Sequence, residues 1–155
     1  MPRTDKPFNV LVLDTHVWIW VMEGVKAQLS TATIRLIEKA AADAALAVSA
    51  ISVWEVAMLD RRGRITLSRS IDEWVKAALT APGLRLADIS PEIAIESTRL
   101  PGEPPGDPAD RIIIATARVL GATLVTRDDD ITSYAAGSHV RVRDSRKRGD
   151  RPAGA

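Results

Sequence analysis

The sequence predicts an α/β fold, a three-layer sandwich in which a central parallel sheet of four to five strands is flanked by helices. Short apolar runs alternate along the chain with longer segments in which apolar residues recur at helical spacing. The first run, residues 10–13, ends directly on Asp14, and a helix-forming segment follows at once. With 155 residues, of which 46% are hydrophobic, the chain is long enough for one compact domain with a buried core.

Helix caps and turn formers set the predicted boundaries of the elements. Ser30 and Ser70 precede helical patterns as N-caps, Pro91 stands in the first turn of another helix, and Gly121 ends the last. The predicted strands are 8–13, 46–49, 84–89, 122–126 and 140–142. The predicted helices are 15–22, 31–45, 52–59, 71–81, 91–100 and 108–120, with residues 127–130 predicted as a turn.

The C-terminal end of the chain is locally basic, although the formal net charge of the whole chain is only +1. Such a segment is usually solvated rather than folded. We therefore expect a single domain over residues 1–143, followed by a disordered tail over residues 144–155. That tail would add only sequence-independent attraction to a phosphate backbone.

The composition excludes several classes of protein. The chain has no cysteine, which excludes a disulfide framework, thiol catalysis and cysteine-ligated metals. Residues 1–9 lack the apolar segment of an export signal, and no apolar run approaches the length of a membrane helix. We expect a cytoplasmic protein.

Four acidic residues are predicted to meet at one edge of the sheet. Asp14 and Asp128 follow strands, Glu55 lies early in the helix after the second strand, and Asp110 lies in the first turn of a helix after a long loop. Right-handed crossovers bring the carboxyl ends of parallel strands to the same edge, where ligands bind in open α/β sheets.

Converging carboxylates need a cation or protons, because two of them about 4 Å apart repel by roughly 4 kcal/mol at an effective dielectric of 20. Oxygen ligands without cysteine favour Mg²⁺ or Mn²⁺ over zinc. Such a site suits hydrolysis of a phosphodiester, with Glu55 as a candidate for orienting the attacking water.

Four blocks of sequence, in this order, resemble the PIN-domain family and specifically its VapC-type ribonuclease toxins. They are Leu13-Asp14-Thr15-His16-Val17-Trp18-Ile19-Trp20, Ser49-Ala50-Ile51-Ser52-Val53-Trp54-Glu55-Val56-Ala57-Met58, Asp107-Pro108-Ala109-Asp110-Arg111-Ile112-Ile113-Ile114-Ala115-Thr116-Ala117 and Leu124-Val125-Thr126-Arg127-Asp128. The resemblance covers residues 9 to about 143 and implies a PIN-like sandwich with Mg²⁺-dependent endoribonuclease activity on RNA. It also implies a homodimer and a VapB-like antitoxin partner that occupies the toxin's groove.

The resemblance assigns the acidic quartet to Asp14, Glu55, Asp110 and Asp128, as metal ligands and catalytic groups. Thr126 matches the family's hydroxyl before the last acid.

Several neighbouring residues keep two interpretations. Asp128, Asp129 and Asp130 are all candidates for the fourth acid, and Asp130 can instead cap a turn. Asp107 is either a ligand or the N-cap before Pro108. Ser49 and Thr15 bond ligand waters or satisfy backbone groups, and Arg111 contacts substrate phosphate or is solvated.

Two other functions are compatible with parts of the sequence. A phosphatase of the haloacid-dehalogenase type would use Asp14 as its nucleophile, but His16 replaces the expected second acid and Lys76 does not follow a strand. The other alternative is a non-catalytic module that binds RNA or protein and in which the acids are helix caps. The apolar segment 17–21 is predicted to anchor the first strand or to offer Trp18 or Trp20 to a dimer or antitoxin surface.

Overall fold

The computed structural model describes residues 10–146, and in that range it shows a five-stranded, entirely parallel sheet with the order β3-β2-β1-β4-β5. Helices lie on both faces, which confirms the predicted α/β sandwich. The strands are β1 (Leu11–Leu13), β2 (Leu46–Ser49), β3 (Leu84–Ala87), β4 (Thr123–Thr126) and β5 (Arg141–Asp144). The helices are α1 (Thr15–Glu23), α2 (Thr31–Ala42), α3 (Ala50–Arg61), α4 (Ile71–Leu79), α5 (Pro91–Ser97), α6 (Pro108–Leu120) and α7 (Asp129–Ala135).

The central strand β1 is buried on both faces because helices cover the sheet on each side. Its side chains alternate between two core clusters. Val12 belongs to the cluster that α6 supplies with Ile113 and Ile114. Leu11 and Leu13 belong to the opposite cluster, where the Trp18 ring meets the Trp74 ring edge-on at 5.0 Å.

Trp18 is therefore a core residue, with 0% exposure. The expectation that Trp18 offers a surface to a partner is wrong. Trp20, two residues later, is only partly buried, because residues two apart on a helix do not share a face.

Helix α7 replaces the turn predicted over residues 127–130. Its Ile131 and Tyr134 are buried, and their spacing of three places them on one face of a helix. The cluster of three aspartates is typical of a turn, but here Asp128 forms the N-cap and the other two occupy the first turn of the helix.

The predicted boundary of the domain at residue 143 is also corrected. Strand β5 includes Asp144, and Ser145 is buried, its N–H donating to the Thr126 carbonyl at 2.9 Å. The Arg146 guanidinium is paired with Asp129 and Asp144. The rest of the predicted tail, residues 147–155, lies outside the described residues, as do Phe8 and Asn9 of the predicted first strand.

Other boundaries shift by a few residues. Helix α2 ends at Ala42 rather than at residue 45, because Ala44 has a left-handed backbone (φ 53°) that turns the chain into β2. Helix α3 begins at Ala50, capped by Ser49. Strand β3 ends at Ala87, and α5 ends at Ser97. None of the helices in the described range is long and apolar enough to cross a membrane.

The core makes a first prediction. Ile113→Ala removes a side chain with 0% exposure and should lower the free energy of unfolding by about 2–5 kcal/mol. The same substitution at Ile95, which is 53% exposed, should change it by about 0.5 kcal/mol or less. Urea denaturation of both variants tests this prediction, and equal losses would contradict the described core.

Candidate active site

The four predicted acids lie together in a cleft of about 250 Å³ at the carboxyl edge of the sheet. The residues that line it are Asp14, Thr15, His16, Trp20, Glu55, Asp107, Asp110, Arg127 and Asp128. Two larger cavities, of about 480 and 570 Å³, lie around His139 and contain none of the four. The predicted convergence of the acids is therefore confirmed.

Asp14 is the most firmly held of these acids. It follows β1, is 7% exposed, and accepts hydrogen bonds on both carboxylate oxygens. The Thr126 hydroxyl donates to its Oδ2 at 2.6 Å and the Thr15 N–H donates to its Oδ1 at 2.8 Å. The Thr126 Oγ1 in turn accepts a bond from the Asp128 N–H at 2.9 Å. One hydroxyl thus joins the acid after β1 to the acid after β4.

Glu55 is positioned by a second hydroxyl, that of Thr15. Its Oε1 accepts a bond of 2.5 Å from Thr15 Oγ1, which also lies 2.8 Å from Ser52 Oγ. Within residues 10–146 the hydrogen bond of Glu55 involves only Oε1, so the second carboxylate oxygen is available there to another group. Ser49 does not line the cleft; its hydroxyl accepts from the Ile51 N–H at 3.2 Å and caps α3.

The start of α6 brings two acids to the cleft, the N-cap Asp107 and Asp110 in the first turn. Asp107 is the N-cap, with Oδ1 accepting from the Ala109 N–H at 2.8 Å. Asp107 lines the cleft as well, so capping and proximity to a cation are compatible. Arg111, which follows Asp110, does not line the cleft. Its Nε donates to the Pro105 carbonyl at 2.5 Å and holds the loop that precedes α6.

Of the three consecutive aspartates, only Asp128 lines the cleft. Its Oδ1 accepts from the Ile131 N–H at 3.0 Å and caps α7. Asp129 is paired with the Arg146 guanidinium at 2.6 Å. Asp130 lines a different cavity, beside Tyr134. The start of α7 therefore selects Asp128 as the fourth acid of the cleft.

Burial and mutual repulsion raise the pKa of three of these carboxyls. Desolvation is the largest cause for each. For Asp110 the surrounding acids add to it, and its pKa rises to about 8. The pKa values of Asp14 and Glu55 are also raised, against the opposing effect of the hydrogen bonds from Thr126 and Thr15 respectively.

The chemistry of this donor set fits a hard divalent cation such as Mg²⁺ or Mn²⁺. A cation would relieve the repulsion that raises the pKa of Asp110. Within residues 10–146, no three acidic or histidine side chains already form a closed ligand set. Side-chain rotation would therefore accompany binding of the ion, most easily at Asp110, whose carboxylate makes no hydrogen bond that fixes it within the described range.

Sequence reasoning did not place His16, Trp20 or Arg127 in the cleft, although all three line it. His16 was considered only as the residue that replaces the second acid of a phosphatase. Trp20 lies one helical turn after His16, and Arg127 lies between Thr126 and Asp128. That spacing was a usable signal, because residues i and i+4 share a helix face.

The family of the chain follows from comparison with known proteins. The PIN domain family model matches residues 11–137. This chain is a PIN-domain protein. The resemblance to VapC-type members is confirmed by Ribonuclease VapC22 of Mycobacterium tuberculosis, which is 39% identical over 126 residues, covering 81% of this chain and 92% of the relative.

Solved structures show the same fold as this PIN domain. VapBC2 from Rickettsia felis, bound to a DNA fragment from its promoter, aligns with a TM-score of 0.61 at 17% identity, covering 86% of this chain and 97% of the other. A toxin–antitoxin complex from Klebsiella pneumoniae aligns with a TM-score of 0.58 at 20% identity, covering 88% of this chain and 98% of the other. VapBC-5 from Mycobacterium tuberculosis aligns with a TM-score of 0.54 at 21% identity, covering 86% of this chain and 97% of the other.

The phosphatase alternative has no support in this PIN domain. The described residues that line the cleft include no lysine, and Lys76 lies on α4. The family match also leaves no reason to assign the fold to the haloacid-dehalogenase type.

The raised pKa of Asp110 predicts how stability depends on pH without divalent ions. The folded state keeps the proton on Asp110 up to about pH 8, whereas the ordinary pKa is 3.8. The stability that the folded state gains by binding this proton is complete below the pKa of Asp110 in the unfolded chain. It is lost as pH rises through the pKa of Asp110 in the folded protein. The free energy of unfolding in a chelator should therefore fall between about pH 4 and pH 8.

Urea denaturation at several pH values in a chelator measures this decline. Asp110→Asn should make the decline shallower, because the amide does not titrate, while Asp14 and Glu55, whose pKa values are also raised, keep part of it. The control Asp88→Asn changes an exposed acid outside the cleft and should keep the decline. A wild-type curve with no decline over this range would contradict the description of the cleft.

Proposed function

We propose that this PIN-domain protein is a metal-dependent endoribonuclease that acts as the toxin of a toxin–antitoxin pair. The observation that supports this most is the cleft in which Asp14, Glu55, Asp110 and Asp128 converge, with Asp110 at a pKa of about 8. A gathering of carboxylates this costly in free energy is typical of a functional site. The name of the relative, Ribonuclease VapC22, supports RNA as the substrate.

The residues of the cleft would hold one or two Mg²⁺ ions, with Mn²⁺ able to substitute. When bound, the ion would neutralise charge on the scissile phosphate and lower the pKa of the attacking water. Asp14, whose two oxygens both accept hydrogen bonds, would be the most rigid ligand, and Asp110 would be a second ligand. Glu55, held by Thr15 through Oε1, would accept the proton of the water on its second oxygen. Thr126 would act by positioning Asp14 and Asp128.

The partner proposed for this toxin is a VapB-like antitoxin protein. The likeness to VapBC structures supports the proposal at the level of the fold, and the identity to VapC22 supports it at the level of sequence. We also propose a homodimer and a cytoplasmic location, where RNA is available. Light scattering of the purified chain tests the dimer, and co-expression with a neighbouring reading frame that relieves growth arrest tests the antitoxin.

A pair of aspartate substitutions tests the catalytic assignment. Asp128→Asn keeps the N-cap of α7, because asparagine caps as well as aspartate does, but removes one charge from the cleft. Cleavage of RNA with Mg²⁺ should fall by about a hundredfold or more. Asp130→Asn, two residues later and outside the cleft, should leave cleavage unchanged.

Calorimetric titration with Mn²⁺ accompanies the cleavage assay. Asp128→Asn and Asp110→Asn should weaken Mn²⁺ binding, and Asp130→Asn should not. Equal activity and Mn²⁺ affinity in all three variants would exclude the proposed mechanism and favour a non-catalytic binding module. A burst of covalent aspartyl-phosphate on Asp14 would instead identify a phosphatase.

The RNA target is best found by sequencing RNA ends after brief expression of the wild type and of Asp110→Asn. Ends that appear only with the wild type would mark cleavage sites. Identical sets of ends in the two samples would contradict the endoribonuclease assignment.

A further inference from the structure

One side of the acidic cleft is not acidic. His16 and Trp20 on α1 and Arg127 after β4 line it together, and we call these three residues the rim. The His16 and Trp20 ring centroids are 6.0 Å apart at an interplanar angle of 47°. The Arg127 guanidinium lies over the Trp20 ring, 5.9 Å from its centroid.

The indole of Trp20 is held in place by the hydrophobic core on the side away from the cleft. Trp20 packs against the core cluster that contains Leu13 and Trp18, and it also lines a small apolar pocket with Leu29 and Ile34. A partly buried ring fixed in this way loses little conformational freedom when a ligand stacks on it. His16 and Arg127, by contrast, are exposed.

Arg127 supplies the positive charge that the cleft otherwise lacks. It is the one Lys or Arg among the cleft-lining residues of the described range. Its distance from the Trp20 centroid is close to the limit of about 6 Å for a cation–π attraction, so little energy holds it over the ring. The guanidinium can therefore turn toward a phosphate, where two parallel hydrogen bonds are available.

We propose that the rim binds an unpaired nucleotide of the RNA substrate beside the scissile phosphate, with the base stacked on Trp20 and His16 and a backbone phosphate bound by Arg127. This proposal rests on the proposed nuclease function and adds how the same site selects its substrate. An aromatic face next to a cation is the combination with which proteins hold single strands. A base in a duplex is already stacked and paired, so its face is not free to meet Trp20.

Binding can be measured separately from cleavage. Full-length protein with the Asp110→Asn substitution, in Mg²⁺, is titrated into a labelled unpaired oligoribonucleotide of about eight nucleotides. Adding Trp20→Leu should weaken binding about tenfold, and Trp20→Phe should restore part of the loss. Trp54→Leu is the matched control, because Trp54 is 53% exposed on α3 and does not line the cleft. The same sequence as a duplex should bind weakly and respond little to Trp20→Leu.

The dependence of binding on salt tests Arg127. Arg127→Gln should reduce the slope of log K against log salt concentration by about 0.7, the contribution of one phosphate contact on a single strand. Arg35→Gln, on the exposed face of α2, should leave the slope unchanged. Because Arg127 is exposed, this variant should fold even if Trp20→Leu does not.

The outcomes separate this proposal from the function on which it rests. If the wild type cleaves RNA and RNA binding is unchanged in Trp20→Leu and Arg127→Gln, the proposed role of the rim is overturned and the nuclease function stands. Binding that depends on Trp20 and Arg127, in a wild type that does not cleave, would support the rim and contradict the nuclease. Unchanged RNA binding together with weakened binding of the antitoxin would assign the rim to a protein partner and overturn the proposal.

Discussion

The repulsion between carboxylates gathered at one edge of the sheet is the constraint on which the rest of this structure depends. Parallel strands and the helices that follow them bring Asp14, Glu55, Asp110 and Asp128 into one cleft, and burial makes their charges more costly still. The hydroxyls of Thr126 and Thr15 offset part of that cost by donating to Asp14 and Glu55. Asp110 has no such donor within the described range, and desolvation together with the surrounding acids raises its pKa to about 8.

The sheet and the acid cleft were predictable from the sequence because both follow from local patterns. Strand β2 matches its predicted residues, since a buried strand in a parallel sheet is a continuous apolar run. The acids were found because each stands just after a strand or in the first turns of a helix, and parallel topology then fixes the edge on which they meet.

Other features depend on tertiary packing. Helix α7 was missed because three aspartates are as typical of a turn as of a helix start, and only the burial of Ile131 and Tyr134 decides between them. The same helix start selects Asp128 over its two neighbours. The contact of Arg127 with Trp20 joins residues 107 positions apart in the chain. The periodic patterns of helices and strands predict only local neighbours, so they do not predict this contact.

The hydrogen bond between Thr126 and Asp14 spans 112 positions of the sequence, and it exists only where β4 lies beside β1 in the observed register, with Leu13 opposite Val125. A shift of one residue would turn Thr126 to the other face of the sheet. During synthesis, a chain that has not yet reached residue 126 has Asp14 but lacks both the hydroxyl that holds it and the acid at position 128. Fragments that end before residue 126 therefore cannot assemble the cleft, and only a correctly paired chain that extends to Asp128 can complete it.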